Sequence, residues 1–289
     1  MARSRSAAAL LCLALALPGR AAEDPGLFLG EGTRYADMNV ARRALLDVVA
    51  IPAGVGRWDA ADWAQLGLWA GAVGTLWFAG DPSLDVQLDR WITENLDPRL
   101  PTVWNPAMQV TLWSSIAVAG FGGWWWAAST GREDLAQGFS LMGEALAVSQ
   151  AYHVALKLAI GRDGPTDGNG LGEVKGFANA IAIYPAGTPS GHAATLYSLL
   201  SAGFAYYRPP VWLQVVGHVL VGATVAFHVI DHRHYLSDSL WGAAMGWYAG
   251  RWVVKHRASW RYGERGGLRT ALVPYTDGRA AGLALRGFF

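Results

Sequence analysis

The chain has 289 residues, 16% of them charged, with a formal net charge of +1 at pH 7. That balance, with no basic run, excludes the electrostatic footprint of a nucleic-acid-binding protein. With 15 Trp, 36 Gly and 52% hydrophobic residues, the composition is that of a helical protein with much buried or lipid-facing surface.

The N-terminus reads as an export signal. Arg3 and Arg5 form a positive region, and Ala7 to Leu17 an apolar core too short to span a bilayer comfortably. Residues 18–22 are a small-residue exit suited to cleavage. Cys12, the one cysteine, lies inside that core, so the chain from residue 23 onward would hold neither thiol nor disulfide. Residues 23–62 form a Gly-rich lead-in with a short helix near 38–50 and a helix start at Asp59 to Asp62. Trp63 to Ala79 then runs apolar for about five turns. Residues 81–107 are acidic and carry prolines, which predicts a short helix over 83–96 followed by loop. A second apolar helix is predicted from Met108 to Ala128, where Trp124-Trp125-Trp126 suits a membrane interface or plain packing. After a turn at Gly131 to Asp134, a third helix covers Leu135 to Ile160 and a Gly-rich loop leads to Pro189. Helix four spans 190–207 and stops at Pro209-Pro210; helix five spans 211–230 and helix six about Leu236 to Val254. Leu268 to Thr276 and Ala280 to Phe289 alternate apolar and polar residues about Asp277-Gly278, a two-residue hairpin signal. The expected fold class is all-α: a six-helix bundle over 63–256 with a small C-terminal β-hairpin over 265–289.

Residues able to do chemistry gather at helix ends. Lys157 to Pro165 closes helix three, and Thr188-Pro189-Ser190-Gly191-His192 opens helix four. His228 to His234 links helices five and six, with Asp238 four residues beyond. Antiparallel neighbours place all three clusters at one end of the bundle. Pro189 and Gly191 make a tight turn and Ser190 is a good N-cap, so freed N–H groups and the helix dipole favour an anion there. His192 at the rim can hold or release a proton near neutral pH. The His234 to Asp238 spacing is one helical turn, so the carboxylate is expected to accept the ring Nδ1–H and leave Nε2 as a nucleophile.

Taken together, Lys157 ahead of Gly161-Arg162-x-x-Pro165, Pro-Ser-Gly-His at 189–192 and His234-x-x-x-Asp238 resemble three signatures of one superfamily. It is that of the type 2 phosphatidic-acid phosphatases and vanadium haloperoxidases, and the match in order and spacing covers about residues 60–255. The resemblance implies that His234 attacks phosphorus and carries a phosphohistidine, oriented by Asp238. It implies that His192 protonates the leaving alkoxide and that Lys157, Ser190 and the Gly191 N–H cradle phosphate oxygens. It also implies phosphate hydrolysis without a metal or other cofactor.

Two positions depart from the pattern. Gly164 stands where the first motif has arginine before Pro165, and Phe227-His228 stands where the third motif opens Ser-Arg. Each lost arginine removes charge-assisted bonds to phosphate oxygens. One preorganised oxyanion donor is worth roughly 3–4 kcal/mol in the transition state. Two uncompensated losses therefore cost on the order of 10⁴-fold in rate or more, with non-additivity. Arg162, two residues before the vacant position, is one candidate phosphate-binding replacement; His228, when protonated, is another, and Arg233 a third.

The remaining polar residues carry weaker signals. His153 fits a hydrogen bond within the bundle or a place in the site, His218 reads as an interior histidine, and His232 as pocket wall or solvated turn. Glu144 and Gln150 read as partnered polar groups between helices. Carboxylates at ligand spacing are scarce, so no metal site is expected. The expected function is hydrolysis of a phosphate monoester or diphosphate, the partner being a phosphorylated lipid or a small phosphate ester. The alternative is a non-catalytic relative that binds phosphate or a lipid headgroup. A vanadate-dependent haloperoxidase ranks third, because the same arginines would hold vanadate.

Membrane signals conflict. Six crossings after signal cleavage would put the site on the cytoplasmic side. An acidic 81–107 loop and the basic residues Arg251, Lys255, His256, Arg257, Arg261 and Arg265 favour a cytoplasmic C-terminus and an outward site. Either residues 1–62 stay inside uncleaved, or a compact bundle is exported whole. The expectation is a bacterial-type envelope protein, membrane-bound or periplasmic, with its site facing the periplasm.

Overall fold

Asp59 opens the first long apolar helix as its sequence suggests. Its Oδ1 accepts from the Ala61 and Asp62 N–H groups at 2.8 and 2.9 Å, and Asp62 Oδ2 takes the Asp59 N–H in return. The computed structural model describes residues 40–96, 99–177, 187–258, 269–276 and 281–288. Its helices are α1 (Val40–Ala53), α2 (Ala60–Phe78), α3 (Leu84–Asn95), α4 (Leu100–Ser115), α5 (Gly123–Ser129), α6 (Glu133–Ile160), α7 (Gly191–Tyr207), α8 (Val211–Ile230) and α9 (Leu236–Arg257). A π-helical stretch, Ile116–Gly122, joins α4 to α5 without a break. The described residues thus hold eight helical rods rather than the six expected.

The two additional rods are α1 and α3, which the sequence places as short helices outside the bundle. α1 instead packs along α6. Its Asp47 is buried against Arg257, and Arg43 Nε lies 3.1 Å from the buried Glu144 carboxylate. α3 sends the buried Asp85 toward α9. The α4 helix also begins earlier than expected, at Leu100. Pro101 falls in its first turn, where a missing N–H costs nothing, and Pro106 is carried in the interior.

At the centre lie α6, α7 and α9, with Leu141, Val148, Leu199, Ala202 and Val253 among the buried residues between them. Glycines set the spacing. A Cβ on Gly242, Gly246 or Gly250 of α9 would come 2.2 Å from Ser190 O, 2.3 Å from Ala194 O and 2.0 Å from Ser201 Oγ. The two helices therefore meet backbone to backbone, as small residues one turn apart allow. This contact carries the Ser190 turn onto the first turn of α9.

Around that centre, α8 packs on α7 and α4, and α2 on α9. Among the described residues α8 is the one helix long and apolar enough to cross a membrane, by length and composition. Large apolar side chains stay exposed on α2 (Leu68), along α4 and α5 (Trp113, Trp125) and on α8 (Val211, Trp212, Val219). Near the C-terminus, β1 (Arg269–Thr276) pairs antiparallel with β2 (Ala281–Phe288), with Arg269 opposite Phe288 and Thr276 opposite Ala281. The expected Asp277-Gly278 turn and the expected export signal over 1–22 lie outside the described residues.

Gly246→Val should cost about 3 kcal/mol of stability or more, because the added carbons meet backbone rather than a side chain that can swing away. Gly71→Ala on α2, where nothing lies within 4 Å, should add about 0.5–1 kcal/mol through helix propensity. Unfolding of both variants by heat or denaturant checks the contrast. Equal effects would contradict the close α7–α9 approach.

Candidate active site

Four histidines from separate elements share one space. His192 lies in the first turn of α7; its ring centroid is 6.0 Å from that of His234, at 64°, and 4.0 Å from that of His228, at 27°. His153 of α6 lies beneath the turn. A Cβ on Gly191 would come within 2.7 Å of the His153 Cε1, so the ring occupies the place of any larger residue there. Gln150 ties these pieces together: its Oε1 is 3.2 Å from His153 Nδ1 and its Nε2 donates to Thr195 Oγ1 at 2.9 Å.

The chain after α8 folds back on the helix end. The His232 N–H reaches Val229 O at 3.1 Å, and the Arg233 and His234 N–H groups reach His228 O at 3.1 and 3.2 Å. His234 is brought against His228 in this way. His232, at φ 53°, places its Nδ1 2.6 Å from Asp89 Oδ1 and so ties the loop to α3. His218 instead packs among the rings of Tyr197, Phe204 and Trp247.

Ser190 caps α7, its Oγ accepting from Ala193 N at 3.4 Å, while its own N–H donates to Asp238 O at 2.9 Å. The Gly191 and His192 N–H groups remain at the helix end with no intrahelical acceptor. Lys157, in the last turn of α6, is 2% exposed. Burial pushes its ammonium down to about 8, against the pull of Asp238 and Asp167. Burial also pushes His192 down to about 4, helped by the positive charge of Arg233 and Lys157. His234 is held well below its ordinary value by burial and then by His192, Lys157, His228 and His153. These two imidazoles are neutral at pH 7, and Lys157 and Arg233 supply the standing positive charge.

Two roles expected from spacing are not the ones found. Asp238 does not bond His234, whose Nδ1 is buried without a hydrogen-bond partner. The one-turn rule holds within a helix, and His234 precedes the N-cap Tyr235. Asp238 is the third residue of α9 and turns back to cap it, Oδ2 accepting the Tyr235 N–H at 3.0 Å. Its Oδ1 accepts from Arg162 Nη1 at 2.8 Å and from Thr188 Oγ1.

Arg162 does not stand at the vacant phosphate position either. Gly161, at φ 53°, ends α6, and Arg162 then pairs with Val174 across a bridge that turns its side chain inward. The guanidinium is fully buried. It donates to Gly172 O at 3.2 Å, Ser237 Oγ and Asp238 Oδ1 at 2.8 Å each, and Asp85 Oδ2 at 3.0 Å. Trp77 and Tyr235 lie against it at 4.4 and 4.5 Å. Asp85 in turn accepts from the Ser237 N–H at 3.0 Å and from its hydroxyl. None of Asp85, Trp77, Tyr235 and Ser237 is singled out by the sequence, and Thr188 only as the first residue of the turn before α7; Asp85 sits in what reads only as an acidic stretch. The Gly164 N–H is taken by Asp167 Oδ2 at 3.1 Å.

Asp85→Asn should destabilise the protein by about 3 kcal/mol, because it leaves part of a buried guanidinium charge uncompensated. Arg162→Lys should not rescue the site, since an ammonium cannot span Asp85, Ser237 and Asp238 at once. Denaturant midpoints of the two variants test this; a wild-type midpoint for either would contradict it.

No curated protein and no solved structure matches the chain. A family model does, over residues 139–261, and its description is the PAP2 superfamily. That segment holds Lys157, His192, His228, His234 and Asp238, while Trp77 and Asp85 fall outside it. Over residues 139–261 the chain is thus similar to the PAP2 superfamily, a family of phosphatase-like proteins.

Proposed function

We propose that the protein is a phosphoric-ester hydrolase working through a phosphohistidine on His234. The observation that carries this reading is the approach of the His192 and His234 rings, 6.0 Å between centroids, beside Lys157 and the open end of α7. His234 is kept neutral and so retains the lone pair a nucleophile needs. Nε2, the ring nitrogen other than the sealed Nδ1, attacks phosphorus as the ester P–O bond breaks. His192, neutral in the empty site and protonated as the phosphate dianion binds beside it, delivers that proton to the departing alkoxide. Water then attacks phosphorus, giving a proton back to His192, the P–N bond breaks to free the His234 Nε2, and phosphate leaves. Lys157, Ser190, the Gly191 N–H and His228 hold the phosphoryl oxygens, and Asp238 acts on the site through the backbone at Ser190 and Tyr235.

A phosphorylated lipid suits the exposed Trp113, Trp125 and Trp212 and the apolar α8. A smaller phosphate ester uses the same phosphate contacts. The leader-like N-terminus and the basic residues in the last turns of α9 and beyond it support attachment to a bacterial-type envelope with the site facing the periplasm. The second reading is a non-catalytic relative that binds phosphate or a lipid headgroup. It is favoured by the bare Nδ1 of His234, which lacks the acceptor that fixes a catalytic tautomer.

Phosphate release from an aryl phosphate and from phosphatidate in micelles separates the two readings. The hydrolase reading expects turnover that drops by about 10³-fold or more in His234→Ala and by about 10²–10⁴-fold in His192→Ala. Equal inactivity of wild type and His234→Ala, with vanadate still bound, would favour the scaffold. Lys157 loses its charge as the pH rises through about 8, so KM should climb above that pH. A KM that is flat from pH 7 to 9 would remove Lys157 from the phosphate site.

A further inference from the structure

This inference rests on the anion-site reading above and concerns where the site finds its positive charge. In place of a permanent guanidinium, the chain offers His228, stacked on His192 at 4.0 Å. Both His228 ring nitrogens are buried without hydrogen-bond partners, as are His153 Nε2 and His234 Nδ1. A neutral ring presents a lone pair as well as an N–H, and a lone pair repels an oxyanion. We propose that the stacked His192–His228 pair binds a tetrahedral dianion by taking up one proton with it, so that the charge is made on binding rather than kept standing.

The groups around the pair support this. Lys157 and His153 face it from α6, and Arg233 and His234 from the loop after α8; burial and then the charges of Arg233 and Lys157 oppose a proton on the empty pair. The nearby carboxylates are engaged: Asp85 and Asp238 by Arg162, Asp89 by His232, Asp231 by Arg233, and Asp167 by the Gly164 N–H. The α4 helix, packed on α8, carries no titratable side chain. A bound dianion reverses this balance, since an opposite charge at contact favours the imidazolium. Two like charges 4.0 Å apart repel, so the pair takes one proton and not two.

Sulfate is a suitable probe because it stays a dianion across the range, and below pH 7 Lys157 is charged with or without ligand. Titration calorimetry of the full-length protein with sulfate should give a Kd that weakens about tenfold per pH unit between 5.5 and 7. Repeating it in two buffers of different ionisation enthalpy should read close to one proton absorbed per sulfate. His228→Arg should bind sulfate with less than about twofold change per pH unit and absorb no proton. A flat wild-type Kd without uptake would overturn the proton coupling and leave the anion site standing. No sulfate or vanadate binding at pH 5.5 would overturn both. Unchanged uptake in a folded His228→Arg would move the proton off the stacked pair. If that variant does not fold, the wild-type slope and uptake decide alone.

Discussion

Arg162 is buried with its charge matched by Asp85 and Asp238, 77 and 76 residues away in the chain, and the loops of the site hang from that match. Asp238 fixes the first turn of α9 and, through its carbonyl, the Ser190 turn. Asp85 fixes Ser237 and brings α3 into the site end of the molecule. A buried cation is tolerable only when paired and hydrogen-bonded, so this arrangement is demanding as well as organising. It also removes Arg162 from the work its position in the first motif suggests.

The consequence is a site rich in imidazole and poor in permanent charge. Lys157 is itself pushed toward neutrality by burial, and Arg233 is half given to Asp231. Rings that are neutral at rest suit a nucleophile, which needs a lone pair. They suit an anion cradle only if protons arrive with the anion. The stacking of His192 on His228 and the bare nitrogens around it are the structural form of that compromise.

Much of this was legible in the sequence, for identifiable reasons. The apolar runs and the Asp59 and Ser190 caps located most rods, because capping and periodicity are local. The three clusters pointed to one end of the bundle, because antiparallel neighbours put the end of one helix beside the start of the next. Long-range pairing was not legible: nothing local marks Asp85 as the partner of Arg162, or Gly242, Gly246 and Gly250 as the faces that let α7 and α9 touch. The His234–Asp238 spacing misled because His234 lies before the helix, where one turn along the axis has no meaning. Pro101 and Pro106 hid the start of α4, since a proline near a helix start reads much like a loop.

The most direct measurement is to quench the full-length protein during turnover of a radiolabelled phosphomonoester and locate the bound phosphoryl group by mass spectrometry. An acid-labile, base-stable phosphoryl group on His234, absent in His234→Ala, is the expected result. Continued turnover with no label there, or with label on another residue, would contradict the convergence of His192 and His234 on phosphorus.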